Sequence, residues 1–246
     1  MINHDSSKPK YIQLAEALEK QILSGEFKAG DKLYSENELC QKFNVSRITV
    51  RQSFQILESK GLIYTVHGKG TFVKMQTFSQ NLPQIVSFRE MLSLKKLDGS
   101  TQIHSFATGV RNEVAEQHLQ ASRGTQLYNL NLTAYVQDTP VAFYQSFFQP
   151  ELGEKVHKFA NNMIEKDVPF TTYDAYSSLD ITLDRVEQTI MAVNADEELA
   201  MRLKLPQNTA LILLESVFFD SADKPVEYKI GHYRSDVYSF HLKRIL

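Results

Sequence analysis

Ser46-Arg47-Ile48-Thr49-Val50-Arg51-Gln52-Ser53-Phe54-Gln55-Ile56-Leu57-Glu58-Ser59-Lys60-Gly61 decides the fold of the N-terminal part of this 246-residue chain. Serine can cap a helix by accepting from a first-turn amide, and glycine can end one in the left-handed conformation. A helix from Arg47 to about Lys60 is therefore expected. At about 100° per residue, Val50, Phe54 and Leu57 share one stripe that must pack inward. Arg47, Ile48, Arg51, Gln52 and Gln55 fan over the opposite side. A solvated face rarely carries isoleucine and usually mixes in acids, yet residues 47–60 contain only Glu58. That face suits a polyanion. In a major groove, Arg bonds guanine O6 and N7 or a phosphate, Gln reads adenine and Ile presses on a thymine methyl. Ser46, Thr49 and the first helical amides suit phosphates, which set register without reading sequence.

Working toward the N-terminus, Asn44-Val45-Ser46 makes a tight turn. Before it, Ser35-Glu36-Asn37-Glu38 has the spacing of a capping box, opening a short helix with Leu39 and Phe43 inward. Tyr11, Leu14, Ala15, Leu18 and Ile22 recur at helical spacing and stop at Ser24-Gly25, which gives a first helix. Cys40, between Leu39 and Phe43, reads as a buried core thiol. As the only cysteine, it excludes an internal disulfide and argues against a cysteine-based zinc site. Toward the C-terminus, Leu62 to Val66 and Thr71-Phe72-Val73 are β-rich runs joined by His67-Gly68-Lys69-Gly70. They form a hairpin whose basic tip reaches a minor groove or backbone. Its Gly-x-Gly is no nucleotide loop, because no helix follows to receive a phosphate. Three helices with one tight turn and a hairpin make a winged helix-turn-helix.

The ordered motifs Pro9-Lys10-Tyr11, Gly30-Asp31-Lys32-Leu33, Ser35 to Leu39, Val45 to Arg51, Gly61-Leu62-Ile63 and Gly68 to Val73 resemble the DNA-binding domain of the GntR family. The likeness extends from the N-terminus to about Lys74. It implies DNA contacts by Arg47, Thr49, Arg51, His67 and Gly68. Ala29 and Tyr34 stand where the family usually has proline, and Asn37 stands where many members have a DNA-contacting arginine. Arg47, Thr49, Arg51, His67 and Gly68, with Ser35, Asn37, Ser46, Ile48, Gln52, Gln55, Lys69 and Gly70, make up the candidate DNA-binding set.

Charge follows the same division. Residues 1–74 hold eleven Lys/Arg against eight Asp/Glu, whereas the remainder holds sixteen against twenty-one. A basic head on an acidic body fits a DNA reader carrying a domain that does not touch DNA. Residues 75–84, with Gln, Ser, Asn and Pro83 and no apolar periodicity, read as a linker between residues 1–74 and a second domain over residues 85–246. The chain opens without an apolar stretch after a basic start, and no run is long enough to cross a bilayer. A cytoplasmic protein with no membrane partner is expected.

In the second domain, Leu130 to Val136 alternates with period two, turns at Asp138-Thr139-Pro140 and returns through Val141 to Phe148. Ala210 to Asp220 and Val226 to Tyr233 repeat this hairpin across Ser221 to Pro225. Leu119, Thr125, Leu127 and Leu130 recur at one constant offset as Leu203, Thr209, Leu211 and Leu214. Pro140-Val141 recurs as Pro225-Val226, shifted by a single further position. Helical stretches Glu113 to Leu119 and Asp196 to Leu203 lead into the two copies. The repeat predicts an antiparallel sheet with a pseudo-twofold axis and a cleft between its halves.

Order, spacing and the ending Pro225-Val226-Glu227-Tyr228 … Tyr233 to Phe240 are similar to the UTRA effector domain of the HutC subfamily. The resemblance covers roughly residues 80–246 and implies an α+β fold similar to chorismate lyase. It makes Ser87-Phe88-Arg89 a loop over the pocket, Thr171 and Tyr173 its wall, and Glu227 and Tyr233 its polar groups. Period two also puts Glu227 and Tyr233 on one face. Glu227 is otherwise a surface carboxylate beside Lys229. Family members that bind sugar phosphates carry basic residues on the first hairpin, since a dianion needs charge-assisted partners. Here those positions fall on Leu132 and Ala134, and Tyr128 to Gln149 holds no Lys or Arg. Two readings stay open: Arg89 supplies one positive group to a phosphorylated sugar, or the effector is uncharged or cationic and uses Glu227.

These observations lead to a ligand-responsive repressor of a transport or catabolic operon. It is expected to be a homodimer on a duplex DNA operator, with a small-molecule effector and neither metal nor cofactor. A lyase-like enzyme has little support, because no nucleophile motif or metal cluster is present in the sequence. The third reading is an architectural DNA-binding dimer without an effector.

Overall fold

A computed structural model of the chain describes residues 8–24, 26–27, 30–74, 78–81 and 87–241. Gly25 and Ala29, singled out above, lie outside the described residues. The chain divides into two compact units, Met1–Phe78 and Ser79–Leu246.

The first unit contains helices α1 (Lys10–Leu23), α2 (Glu36–Phe43) and α3 (Arg47–Ser59) and the hairpin β1 (Ile63–Val66) and β2 (Gly70–Val73). Both expected caps form. Ser35 accepts from the Glu38 amide while the Glu38 carboxylate accepts from the Ser35 amide, and Ser46 accepts from the Thr49 amide. Leu14, Leu18, Leu39, Val50 and Leu57 are fully enclosed in one core. Each such side chain contributes about 1.5–3 kcal/mol of burial. Cys40 is half-buried, because α2 turns Leu39 into the core and leaves its neighbour at the core's edge. Lys32 bridges to Phe72, so the segment before α2 borders the wing hairpin.

Strand β3 (Phe78–Asn81) spans the boundary, and the second unit continues through α4 (Phe88–Lys95), β4 (Gly99–Val110), α5 (Glu113–His118), β5 (Leu127–Val136), β6 (Thr139–Phe148), α6 (Pro150–Glu165), α7 (Tyr173–Ser178), β7 (Leu183–Asn194), α8 (Glu197–Leu203), β8 (Ala210–Asp220), β9 (Pro225–Arg234) and β10 (Tyr238–His241). The strand β3 falls inside the stretch read as linker. It pairs with β10, close to the opposite end of the sequence, a partner that local composition cannot reveal. Residues 75–77 and 82–84, the rest of that stretch, lie outside the described residues.

The six-stranded antiparallel sheet has the order β4-β5-β6-β9-β8-β7. This is the unit β-α-β-β laid down twice and joined at β6 and β9, as the repeat predicts. The copies agree in backbone detail. Asn112 and Asp196 cap α5 and α8 in the same way. Gln120 and Lys204 both take positive φ after those helices, as do Gly124 and Asn208 four residues later. The Thr125 and Thr209 hydroxyls each donate to the carbonyl three residues earlier. A sequence coincidence of leucines would not carry matching caps and left-handed residues. The helices α5 and α8 cover one sheet face, through Leu119 and Leu127 in one copy and Leu203 and Leu211 in the other.

Candidate DNA-reading surface and ligand pocket

On α3, Val50, Ser53, Phe54 and Leu57 face the core, and Arg47, Ile48, Arg51, Gln52 and Gln55 are exposed. Ile48 is 70% exposed, the least expected feature of the face for a helix that only meets water. The Arg51 Nε donates to both Glu36 oxygens, at 2.9 and 3.2 Å. This hydrogen bond holds the guanidinium further above its ordinary pKa. Arg51 is thus aimed by α2, with its Nη groups left to reach outward, whereas nothing in the sequence pattern pairs it with Glu36. Thr49 is half-buried, and its hydroxyl lies 3.0 Å from that of Ser46 at the start of the helix. The Ser35 hydroxyl donates to Glu38 at 2.8 Å, so the capping box consumes the proton a phosphate would need. Asn37 lies exposed in the first turn of α2.

The wing tip, His67-Gly68-Lys69, is closed by the Lys69 amide donating to the Val66 carbonyl. Gly68 takes φ +73° and Gly70 +121°, backbone that other residues rarely adopt. His67 and Lys69 are exposed. A Cβ at Gly70 would lie 2.5 Å from the Lys32 side chain, so the glycine lets a further cation lie against the wing. Lys32 is a candidate DNA contact absent from the set drawn from the sequence. Its only signal was its place in Gly30-Asp31-Lys32-Leu33.

In the second unit lies a narrow cleft, partly open to solvent, with a cavity volume of about 60 Å³. Its floor is the sheet face opposite α5 and α8. Its walls bring together Phe88 and Met91 of α4, Thr171 and Tyr173, Tyr144 of β6, Leu214, Ser216 and Phe218 of β8, Lys229 and Tyr233 of β9, Gln188 and Tyr238. The cleft therefore lies on the second half of the sheet, with only Tyr144 from the first half. It does not lie between the halves, because α6 occupies the first half, packing on β4, β5 and β6.

Of the effector set, Phe88, Thr171, Tyr173 and Tyr233 line this cleft. Ser87 to Arg89 is not a loop: Ser87 accepts from the Glu90 amide and starts α4, so Phe88 and Arg89 occupy its first turn. A serine three residues before an acid was the missed cap signal. Arg89 is more than half exposed, its Nε 3.8 Å from the buried Asp174 carboxylate. Glu227 is neither at the surface nor on the lining. It is fully buried, accepting from the Thr172 hydroxyl and the Tyr176 hydroxyl at 2.6 Å each, with the Lys229 Nζ at 3.3 Å. Enclosed and off the lining, Glu227 offers no exposed oxygen to a cationic effector in the cleft. Leu132 and Ala134 are buried and apolar.

Lys229 is the cleft's unanticipated cation. It is 7% exposed, with its ammonium 4.9 Å from the Phe218 ring centre and 5.9 Å from that of Tyr144. Period two places residue 229 on the face of Glu227 and Tyr233, a signal available in the sequence. Gly231 lies between Lys229 and Tyr233 on that face. A side chain there would strike the Tyr233 ring at 2.7 Å, so glycine permits the tyrosines to close on the strand. The Tyr144 and Tyr233 rings meet edge-on at 5.5 Å, and Tyr238 lies 4.7 Å from Tyr233. Burial pushes the Tyr233 phenol up to about 12 and raises Tyr144 and Tyr238 well above the usual phenol range. All three stay neutral, and the Tyr238 hydroxyl donates to Met91 Sδ at 3.9 Å. Among the described residues no cluster of His, Cys, Asp or Glu is placed to hold a metal, and no helix is long and apolar enough to cross a membrane.

Comparison with known proteins places this geometry. Residues 10–73 match the model of the bacterial regulatory proteins of the gntR family, and residues 96–239 match the UTRA domain. The chain is 26% identical over 239 residues to the mannosyl-D-glycerate transport/metabolism system repressor MngR of Escherichia coli, covering 96% of this chain and 95% of that protein. It is 27% identical over 242 residues to the transcriptional repressor NagR of Bacillus subtilis, covering 97% and 96%. The fold matches that of PhnF from Mycobacterium smegmatis with a TM-score of 0.71 at 21% identity, over 94% of this chain and 99% of the other. MngR and NagR are both named as repressors. The chain belongs to the GntR family of bacterial regulators, as a ligand-responsive DNA-binding protein of the type that pairs the helix-turn-helix head with a UTRA effector domain.

Proposed function

We propose that the protein is a cytoplasmic repressor that works as a homodimer, its two α3 helices reading the half-sites of a pseudo-palindromic operator. The observation that carries this is the outward face of α3, where two arginines and two glutamines surround a 70% exposed Ile48. Twofold symmetry of the protein matches pseudo-palindromy of DNA, with half-site centres about one helical turn, or a multiple of it, apart. The cleft takes a small carbohydrate-like metabolite, in keeping with the sugar-related system named for MngR. The ligand acts through different affinities for two arrangements of the dimer, only one of which presents both heads correctly.

Sedimentation of the protein with its promoter duplex tests the assembly. Two chains per operator are expected, and one chain per duplex at saturation would contradict the dimer. A ligand that binds the cleft and leaves operator affinity unchanged would instead favour an architectural role. Ile48→Ala is expected to alter which bases are preferred while changing overall affinity little, because an apolar contact reads a thymine methyl and holds no phosphate. Selection from a randomised operator checks this, and an unchanged motif contradicts it.

A further inference from the structure

A polar row crosses the sheet face under the cleft over four strands, with Gln188, Ser216 and Lys229 in the cleft lining and Ser146 beside Lys229 just outside it. Register pairs Ser146 of β6 with Lys229 of β9, Lys229 with Ser216 of β8, and Ser216 with Gln188 of β7. Ser146 and Ser216 are 0% and 3% exposed. The Ser146 hydroxyl has no hydrogen-bond partner in the structure. The Gln188 amide donates to the Ser216 hydroxyl at 3.0 Å, leaving the serine proton to be given elsewhere. Glu227 engages only part of the Lys229 ammonium: it meets the nitrogen once, at 3.3 Å, while also accepting from Thr172 and Tyr176. The second buried acid near the cleft, Asp174, accepts from the Thr171 amide at 2.9 Å behind the wall. Both acids thus stand behind the lining, while the Lys229 cation and the Ser216 hydroxyl stand in it and the Ser146 hydroxyl adjoins them. Buried donors without acceptors cost about 1–3 kcal/mol each until something accepts from them.

We infer that Lys229, flanked by Ser146, Ser216 and Gln188, is the subsite for a carboxylate or phosphate group of the effector, whose hydroxylated body lies against Tyr144, Tyr233 and Tyr238. The inference rests on reading the cleft as the effector site. An anion here takes two charge-assisted hydrogen bonds from the ammonium and one from each serine. The Tyr233 phenol donates to a ligand hydroxyl, and the three rings cover the ligand's C–H face.

The test is thermal unfolding of the full chain with D-glucose, glucose 6-phosphate or D-glucuronate at roughly 10 mM, where a ligand selective for the folded state raises Tm by mass action. At least one of the two charged sugars is expected to raise Tm and glucose is not, and which of them does so separates phosphate from carboxylate. Ser146→Ala weakens apparent affinity for that sugar about three- to tenfold, and Lys229→Met about 10- to 100-fold. Where Lys229→Met alone loses its cooperative melt, the double variant Lys229→Met, Glu227→Gln removes both charges and is measured in its place. No shift with either charged sugar, or an equal shift with glucose, overturns the inference. A shift that survives Lys229→Met but is abolished by Tyr173→Ala overturns the Lys229 subsite and leaves the cleft as effector site. A shift untouched by either variant removes both.

Discussion

Glu227→Leu is expected to destabilise the C-terminal unit by about 3–5 kcal/mol, with Tm falling by roughly 10 °C. The carboxylate is fully enclosed and is the common acceptor for two hydroxyls from α7 and its N-cap, Tyr176 and Thr172, and for the ammonium of Lys229 on its own strand. Leucine of similar volume removes every one of these bonds at once. Lys229 is left as a buried charge facing apolar atoms and aromatic rings, and Thr172 and Tyr176 lose their acceptor. The double variant Glu227→Leu, Lys229→Met takes the charge away with its partner, and should recover most of the lost stability, because the penalty belongs mainly to the unpaired ion. Urea unfolding of the two variants and the parent checks both statements. A single variant melting within about 2 °C of the parent would show that the pair does not hold the cleft together.

Arg47→Ala is expected to weaken operator binding by about 1–3 kcal/mol, or roughly 5- to 150-fold. Arg47 opens α3 beside the helix amides and is exposed, so its guanidinium can make a bidentate bond to guanine or grip a phosphate. The two possibilities differ in readout. Loss of a base contact relaxes preference at one operator position, whereas loss of a phosphate contact weakens all sequences alike and lowers the salt dependence by about one contact. Gel-shift affinity unchanged by the substitution would remove Arg47 from the interface. Arg51 differs from Arg47 because Glu36 already holds its Nε.

The head was legible because its signals are local. Ser46, Gly61 and the Val50, Phe54, Leu57 stripe lie within one short stretch, and capping, periodicity and turn chemistry act over that distance. The sheet was legible for another reason: the constant offset from Leu119 to Leu203 and from Leu130 to Leu214 copies a whole folding unit, and one topology satisfies it. Pairings across the chain were not legible. Strand β3 meets β10, and Thr172 and Tyr176 reach Glu227 from 55 and 51 residues away. No spacing rule encodes such contacts. They turned a residue read as a pocket group into the buried anchor beneath the pocket, and brought Lys229 forward in its place. Ser87 to Arg89 was misjudged by giving the resemblance more weight than the local cap, which the Ser87 and Glu90 spacing already carried.

All of this depends on α3 and the wing presenting cations, amides and donors to a DNA duplex. The most direct measurement is the affinity of the full-length protein for a duplex from its own promoter across a series of salt concentrations. Binding is expected to weaken steeply, with log K falling against log salt at a slope of roughly −5 to −9 for a dimer gripping six to ten phosphates. The absence of any salt-sensitive association with that duplex would contradict it.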